Sequence, residues 1–272
     1  MPVQRMKAIE KELKRIQNAE NRMRTRAEKS TTPAWKREIE QKVPEKVLDG
    51  LQKAFAKAFF LIFEKGAGII EKSYHKETLE KEFLIRDYAV GLTGGKKELR
   101  RIRADAAAKR TAAALGTAVE GIGLGALGIG VPDIALWLGV LLRGIYETAL
   151  MYGYDYRMPE EKRFILKIME ASMQRGAAWV SLNQEVDSCL CREEGESPTG
   201  EALKAQIEKT ALAFATDMLV MKFIQGIPIV GIVGGAANPV FYQKVMGYAQ
   251  LKYRKRYLLS KMRRQPPPPS LG

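Results

Sequence analysis

The stretch from Gly121 to Asp155 constrains this chain most, and it reads GIGLGALGIGVPDIALWLGVLLRGIYETALMYGYD. A glycine-rich apolar arm reaches a break at Pro132, and an apolar helical pattern then continues to Asp155. Because glycine has no Cβ, helices that carry it can approach each other closely. The pattern therefore predicts two helices folded against each other.

A second apolar arm repeats this pattern from Phe223 to Tyr242, where the sequence reads FIQGIPIVGIVGGAANPVFY. It has a break at Pro228, the spacing Gly231-xxx-Gly235, and Asn238 before a second proline. We predict an all-α fold with two apolar helical hairpins, each broken by glycine and proline. The predicted parts are an amphipathic N-terminal helix with its linker (1–32), one multi-helix domain (33–264) and a proline-rich disordered tail (265–272).

Neither arm has the composition of a clear membrane span, because a spanning helix needs about 20 apolar residues without charge. Glu120, Asp133 and Arg143 interrupt the first arm, and Pro228 and Asn238 interrupt the second. We expect both hairpins to be buried in the protein or inserted shallowly into lipid. The sequence leaves these two arrangements open.

Periodicity and capping residues predict several further helices. One begins at Pro44 and ends near Lys72, and the next covers about 76–92. Another begins at Met158 and ends near Trp179. The polar stretch 183–200 reads as a loop, after which Thr199 caps a helix from Gly200 to about Gln225.

The formal net charge of +14 implies anionic partners, and both nucleic acid and an acidic lipid surface qualify. The two cysteines, Cys189 and Cys191, are expected to be free thiols, which fits a reducing compartment. The charged N-terminus lacks the apolar segment of a secretory signal. We therefore expect a cytoplasmic protein, peripheral at the inner face of the cell membrane.

Positive charge is concentrated in two segments. From Lys244 to Arg264 there are eight Lys or Arg residues and no acid, with tyrosines between them. Tyrosine suits a membrane interface because one end is apolar and the other polar. The predicted membrane- and anion-binding residues are Lys244, Lys252, Arg254, Lys255, Arg256, Lys261, Arg263, Arg264, Tyr248, Tyr253 and Tyr257.

The second basic segment runs from Lys96 to Arg110 and reads KKELRRIRADAAAKR. Its ordinary interpretation is a solvated helix face, and an anion-contacting surface is the alternative. Both readings place these side chains on the outside of a helix.

The sequence contains no convincing catalytic, cofactor or metal motif. Residues 123–128 match GxGxxG, but an alanine-rich helical segment precedes them where a dinucleotide site needs a strand. His75 is the only histidine, so a cluster of histidine ligands cannot form within one chain. Asp133 suits a helix N-cap, and Arg143 and Glu147 have the i,i+4 spacing of an ion pair. We expect no enzymatic activity, no cofactor and no metal.

Several phrases together resemble the EcsC family, bacterial proteins named for one encoded beside an ABC transporter. They are IGVPD (129–133), LRGIYE (142–147), YGYD (152–155), PEE (159–161), IPIVG (227–231) and GGAAN (234–238). The family-like residues are Pro132, Asp133, Arg143, Glu147, Tyr152, Gly153, Asp155, Pro228, Gly231, Gly235 and Asn238. The resemblance implies a helical, membrane-associated protein linked to a transporter or envelope process, and it supplies no catalytic residues.

Our leading hypothesis is a peripheral membrane-associated interaction protein that binds anionic membrane through its basic helices. A non-specific nucleic-acid-binding protein is one alternative, since positive charge alone provides such affinity. The other is a lipid-directed enzyme that uses Asp133, Glu147, Tyr152 or Asp155. A soluble helical domain with buried hairpins and a charged surface is also compatible with the sequence.

Overall fold

The computed structural model describes residues 2–29, 44–93, 96–114, 132–190, 197–225 and 239–263. All regular structure in these ranges is helical, which confirms the predicted all-α class. The helices are α1 (Pro2–Lys29), α2 (Glu45–Leu61), α3 (Ala67–Glu71), α4 (Lys76–Thr93), α5 (Lys96–Ala114), α6 (Pro132–Met151), α7 (Pro159–Met173), α8 (Gly176–Leu190), α9 (Gly200–Gln225) and α10 (Pro239–Arg263), and a π-helical turn (Ile62–Gly66) joins α2 to α3.

Residues with defined capping roles set several helix ends. Thr199 accepts a hydrogen bond from the Ala202 amide at 3.2 Å, as its predicted N-cap role requires. Proline occupies the first position of α7 and of α10, where its missing N–H removes no helical hydrogen bond. Pro239 is therefore the first residue of α10.

The last helix, α10, lies at the centre of the packing. It contacts α1, α5, α6, α7 and α8, while α9 packs against α2 and α7. Gly144 allows α6 to approach α10 closely, because a Cβ at this position would lie 2.6 Å from the Tyr242 hydroxyl. The segment with the most positive charge is therefore mostly interior.

An aromatic cluster fills the core between α2, α6, α9 and α10. The Trp137 ring lies 6.1 Å from Phe55, 5.6 Å from Phe214 and 5.9 Å from Phe241, all in edge-to-face geometry. Such pairs contribute about 0.5–1.5 kcal/mol each beyond area burial. The buried apolar side chains of α2 thus pack into the core.

Two predicted boundaries are wrong in the region 158–200. The helix expected to reach Trp179 ends at Met173, and α8 begins at Gly176, which has a φ of +60°. The expected loop from Asn183 is helical up to Leu190. Buried side chains at helical spacing along α8 explain this, because they pack inward despite a polar sequence: Trp179, Asn183, Val186 and Leu190.

The glycine-rich parts of both predicted hairpins, residues 115–131 and 226–238, lie outside the described residues. Their flanking helices are described. Within the described ranges, Ile134–Met151 in α6 is long and apolar enough to cross a membrane, but most of it is buried among the other helices. Burial of this kind is typical of a core helix.

Candidate functional site

Two basic surfaces were candidates at the level of sequence, and α10 is the first. Lys252 is completely buried, with 0% of its surface exposed. Its ammonium donates to Glu20 at 2.5 Å and to Asp187 at 2.6 Å. Lys255, three residues further along α10, donates to the same two carboxylates at 2.8 and 3.0 Å. These four charges join α10 to α1 and α8.

A second ion pair joins α10 to α7. The Arg256 guanidinium donates to Glu161 at 2.6 Å, and the Tyr253 hydroxyl donates to the other oxygen of the same carboxylate at 2.6 Å. The guanidinium also lies over the rings of Tyr154 and Phe164, at 4.0 and 4.9 Å from their centroids. Burial raises the pKa of Tyr253 well above its usual value, so this phenol remains a donor.

Further side chains of α10 have partners on α9 and α4. Lys244 lies 3.2 Å from Asp217 on α9. Lys261 lies 2.5 Å from Asp87 on α4, and the Tyr257 hydroxyl donates to the same carboxylate at 2.9 Å. Charges on α10 are therefore paired with acids from several other helices.

Two more of the predicted residues of α10, Tyr248 and Arg263, also have partners within the chain. The Tyr248 hydroxyl donates to the Asn183 side-chain oxygen at 2.8 Å, and both residues are buried. Arg263 is exposed and donates to the Leu190 carbonyl at 2.7 Å. Arg264 lies outside the described residues.

The tyrosines and cations of α10 therefore do not form one outward surface. The tyrosine rings are buried, and most of the cationic groups bind carboxylates within the chain. The physical reason is that the acids come from helices distant in sequence, which a run without acids inside one helix cannot reveal. Whether any of these residues contacts an anion outside the chain stays a prediction.

The YGYD phrase forms the C-terminal end of α6. The Gly153 amide donates to the Leu150 carbonyl and the Tyr154 amide to the Ala149 carbonyl, both at 3.0 Å, which is a Schellman arrangement. Gly153 has a φ of +81°, and a Cβ there would overlap the Phe83 ring. This glycine therefore has a structural role.

The other family-like residues have structural partners where they are described. Arg143 Nε lies 3.0 Å from Glu147, which confirms the predicted i,i+4 pair. Asp155 accepts a hydrogen bond from the Arg157 amide at 3.0 Å. Pro132 begins α6. The side chain of Asp133 lies outside the described part of the structure. Four whole residues also lie outside it: Pro228, Gly231, Gly235 and Asn238.

These placements bear on the enzyme alternative. Of its four candidate residues, Glu147 is held by Arg143, Asp155 caps a turn, and Tyr152 is buried beside Tyr257, with ring centroids 5.9 Å apart. Within the described ranges, no three His, Cys, Asp or Glu side chains are grouped to hold a metal ion. The described residues therefore assemble no recognisable reaction centre, and the absence of enzymatic activity stays a prediction.

A polar cleft of about 570 Å³ lies between α1, α8 and α10. Its lining carries both signs of charge and includes Glu20, Asp187 and Lys255, which already bind one another. Because these charges satisfy each other, the cleft offers no strong preference for an anion or a cation.

The second candidate surface lies on α4 and α5. Four large apolar side chains on α4 are exposed: Leu84 by 64%, Ile85 by 69%, Tyr88 by 69% and Leu92 by 54%. Leu84, Tyr88 and Leu92 are spaced four residues apart, so they share one face of the helix. The opposite face, with Leu79 and Val90, is buried.

Four exposed basic residues occupy the adjoining end of α5: Lys96, Lys97, Arg100 and Arg101. Within the described part of the chain they form no ion pair. The two helices pack side by side, and Arg86 on α4 lies 3.3 Å from Asp105 on α5. We call the eight exposed side chains the α4–α5 surface, defined as Leu84, Ile85, Tyr88, Leu92, Lys96, Lys97, Arg100 and Arg101.

Helical periodicity accounts for the exposure of the basic groups on α5. Leu99, Ile102 and Ala106 of α5 are buried, so Lys97, Arg101 and Ala104 point the opposite way, outward. The basic half of this surface was an alternative reading of the sequence, but its apolar half was missed. A usable signal existed, because α4 carries apolar residues on both faces.

Comparison with known proteins gives the family. The model of the EcsC protein family matches residues 7–258. The chain belongs to the EcsC family. It is 25% identical over 135 residues to "Uncharacterized protein YdbA" of Bacillus subtilis (strain 168), a match that covers 48% of each chain. The chain thus spans about half the length of this curated relative, and no solved structure matches it.

Proposed function

We propose that this EcsC-family protein is a peripheral membrane protein that binds an anionic lipid surface through the α4–α5 surface. The observation that carries this proposal is the face of α4 on which Leu84, Ile85, Tyr88 and Leu92 are each more than half exposed. Contiguous apolar residues on a protein surface mark a partner or a membrane. This differs from the sequence-based hypothesis, which assigned membrane contact to the C-terminal helix.

Charge favours lipid as the partner of this apolar face. Lys96, Lys97, Arg100 and Arg101 adjoin it, and each basic residue near an anionic leaflet contributes about 1 kcal/mol. Helices that lie in a membrane interface typically combine exposed apolar side chains with neighbouring basic side chains. Tyr88 adds an aromatic ring with a polar end, which suits the head-group region.

The magnitudes are sufficient for reversible binding. Full burial of a Leu or Ile side chain yields about 1.5–3 kcal/mol, so side chains that are roughly half to two-thirds exposed add about 1 kcal/mol each. Four apolar and four basic side chains then supply roughly 8 kcal/mol before the costs of association. We expect binding that depends on both acidic lipid and ionic strength.

Nucleic acid explains only half of this surface. Cations gain binding free energy on a nucleic-acid duplex through counterion release, but exposed leucine and isoleucine gain none there. The apolar residues therefore favour the membrane over nucleic acid. A link to a transporter, and a location at the cytoplasmic face of the cell membrane, remain part of the proposal on the strength of the family resemblance alone.

The test is flotation of the purified full chain with vesicles of neutral lipid and of neutral lipid mixed with phosphatidylglycerol. We expect binding to acidic vesicles that Leu84→Ser with Ile85→Ser weakens roughly 30-fold, since about 2 kcal/mol is lost. Lys97→Gln with Arg101→Gln should weaken it by a similar factor.

Matched controls use an exposed leucine and an exposed lysine on other helices. Leu212 on α9 is 42% exposed, and Lys57 on α2 is exposed. Leu212→Ser and Lys57→Gln should bind vesicles as the wild type does. Equal binding by the α4–α5 variants and the wild type would exclude this surface as the membrane contact. A wild-type chain that ignores acidic vesicles but shifts duplex DNA at the same salt would favour the nucleic-acid alternative.

A further inference from the structure

Two arginines bind one glutamate where α1, α5 and α10 pack together, and the charge of this glutamate also acts on a third arginine, on α10. Glu12 on α1 is buried, and its carboxylate accepts from Arg103 on α5 at 3.1 Å and from Arg15 on its own helix. Arg254 on α10 lies near the same group: Gln250, one turn earlier, donates to the Ala106 carbonyl of α5 at 2.6 Å. This arrangement places Arg254 on the side of α10 that faces α5.

Arg254 forms no ion pair of its own with any residue that the structure describes. Its Nε atom is buried and makes no hydrogen bond among the described residues. Burial lowers the pKa of Arg254, the negative charge of Glu12 opposes this change, and the positive charges of Arg103 and Arg15 add to it. A buried cation without a partner is expensive, so such groups are ordinarily paired.

The charges in this cluster do not balance. Three guanidinium groups and one carboxylate leave two positive charges without compensation in the described part of the chain. The cluster is open to solvent on one side, because the side chains of Arg15 and Arg103 are 47% and 34% exposed. An anion from solvent can therefore reach Arg15 and Arg103.

We propose that Arg15, Arg103 and Arg254 form a binding site for a phosphomonoester group. A terminal phosphate carries up to two negative charges and three acceptor oxygens, which matches two uncompensated cations and three guanidinium donors. Arginine is suited to this role because its planar fork binds phosphate oxygens in a bidentate manner. Glu12 holds two of the arginines in place, which preorganises the site.

Two sources supply this chemistry, a small soluble phosphate and the head group of phosphatidate. The test uses isothermal titration of the full chain with inorganic phosphate and with dihexanoyl phosphatidate below its micelle concentration. Dihexanoyl phosphatidylglycerol, a phosphodiester, and sodium chloride at equal ionic strength are the comparison ligands. Because both probes are soluble, this site can fail while vesicle binding succeeds, and the reverse.

We expect Arg254→Gln and Arg15→Gln each to weaken phosphomonoester binding roughly tenfold to a hundredfold, the factor that one charge-assisted hydrogen bond represents. Arg22→Gln, at an exposed position on α1, is the matched control and should bind as the wild type does. Without ligand, Arg254→Gln should melt no lower than the wild type, because it removes an uncompensated charge. Because the Arg15 side chain is half-exposed, we expect Arg15→Gln to fold, and this variant tests the site even if Arg254→Gln fails to fold.

Binding of phosphatidate alone would assign the site to a lipid head group, and binding of both probes would assign it to phosphomonoesters in general. Binding of inorganic phosphate alone would assign it to small soluble phosphates. The proposal is overturned if neither probe binds more tightly than chloride or phosphatidylglycerol. It is overturned equally if both arginine variants bind as tightly as Arg22→Gln does.

Discussion

Replacing Lys252 with alanine tests whether α10 is held by interior ion pairs. Lys252 is fully buried between Glu20 and Asp187, at 2.5 and 2.6 Å. Removing one partner of a buried pair costs about 3–5 kcal/mol. Lys255 still faces both carboxylates, and these are 13% and 31% exposed, so we expect the lower end of that range, about 3 kcal/mol.

The assay is urea unfolding followed by circular dichroism, with the free energy extrapolated to water. A loss of about 3 kcal/mol is a large share of the 5–15 kcal/mol by which domains are usually stable. The matched control is Lys97→Ala on the α4–α5 surface, which should change stability by at most about 0.5 kcal/mol.

In vesicle binding the order of the two variants should be reversed, so that the stable variant is the one that loses binding. Lys97→Ala should weaken flotation with acidic vesicles, whereas folded Lys252→Ala should float as the wild type does. Suppose that the free energy of unfolding of Lys252→Ala lies within 0.5 kcal/mol of the wild-type value and that this variant loses vesicle binding. Lys252 then faces a membrane, and the interior pairing described above is incorrect.

Two further outcomes follow from local geometry. Gly153→Ala should destabilise the protein by about 2–5 kcal/mol, because the left-handed backbone disfavours alanine and its Cβ would overlap the Phe83 ring. A thermal melt measures this loss of stability. Adding Phe83→Leu to the same chain should restore the part of the loss that comes from the overlap. The hydrogen bond from Arg157 lowers the pKa of Glu71, so this pair stabilises the fold above the ordinary carboxyl pKa of 4.5 and the contribution is lost as pH falls through the lowered value. Glu71→Gln should therefore cost about 0.5–1 kcal/mol at pH 7 and progressively less as the pH falls below 4.5, and a cost that does not change with pH would contradict the assignment.

Local patterns in the sequence predicted the helices well. The all-α class, the i,i+4 pair of Arg143 with Glu147 and the Thr199 cap are each decided within about one helical turn. Such features need no knowledge of the rest of the fold. The end of α7 at Met173 was missed because the break depends on Gly176, whose positive φ the apolar periodicity around it does not reveal.

The candidate site required information that local patterns do not contain. The carboxylates that bind Lys252 lie 232 and 65 residues away in the chain, at Glu20 and Asp187. No spacing rule within α10 identifies them. Interior pairing of a basic helix is therefore a property of the tertiary fold and not of the segment.

The outward apolar residues of α4 illustrate the opposite case. Phe83, Leu84 and Ile85 are consecutive, and only Phe83 turns toward Gly153 and Tyr257. Three apolar residues in a row cannot all face one side of a helix, because successive side chains are rotated by about 100°. The sequence thus contained a sign that some apolar surface stays outside, although it did not identify which residues.

Net charge alone does not indicate which cations meet a partner. The chain carries +14, and its most basic helix uses most of its described cationic groups to bind acids from α1, α4, α7, α8 and α9. The cations at the start of α5 have no such partners among the described residues and adjoin exposed leucine and isoleucine. Buried pairs are screened little by salt, whereas exposed cations are screened within about 10 Å at 0.1 M. Interior pairing and the proposed surface binding are therefore separable by ionic strength as well as by mutation.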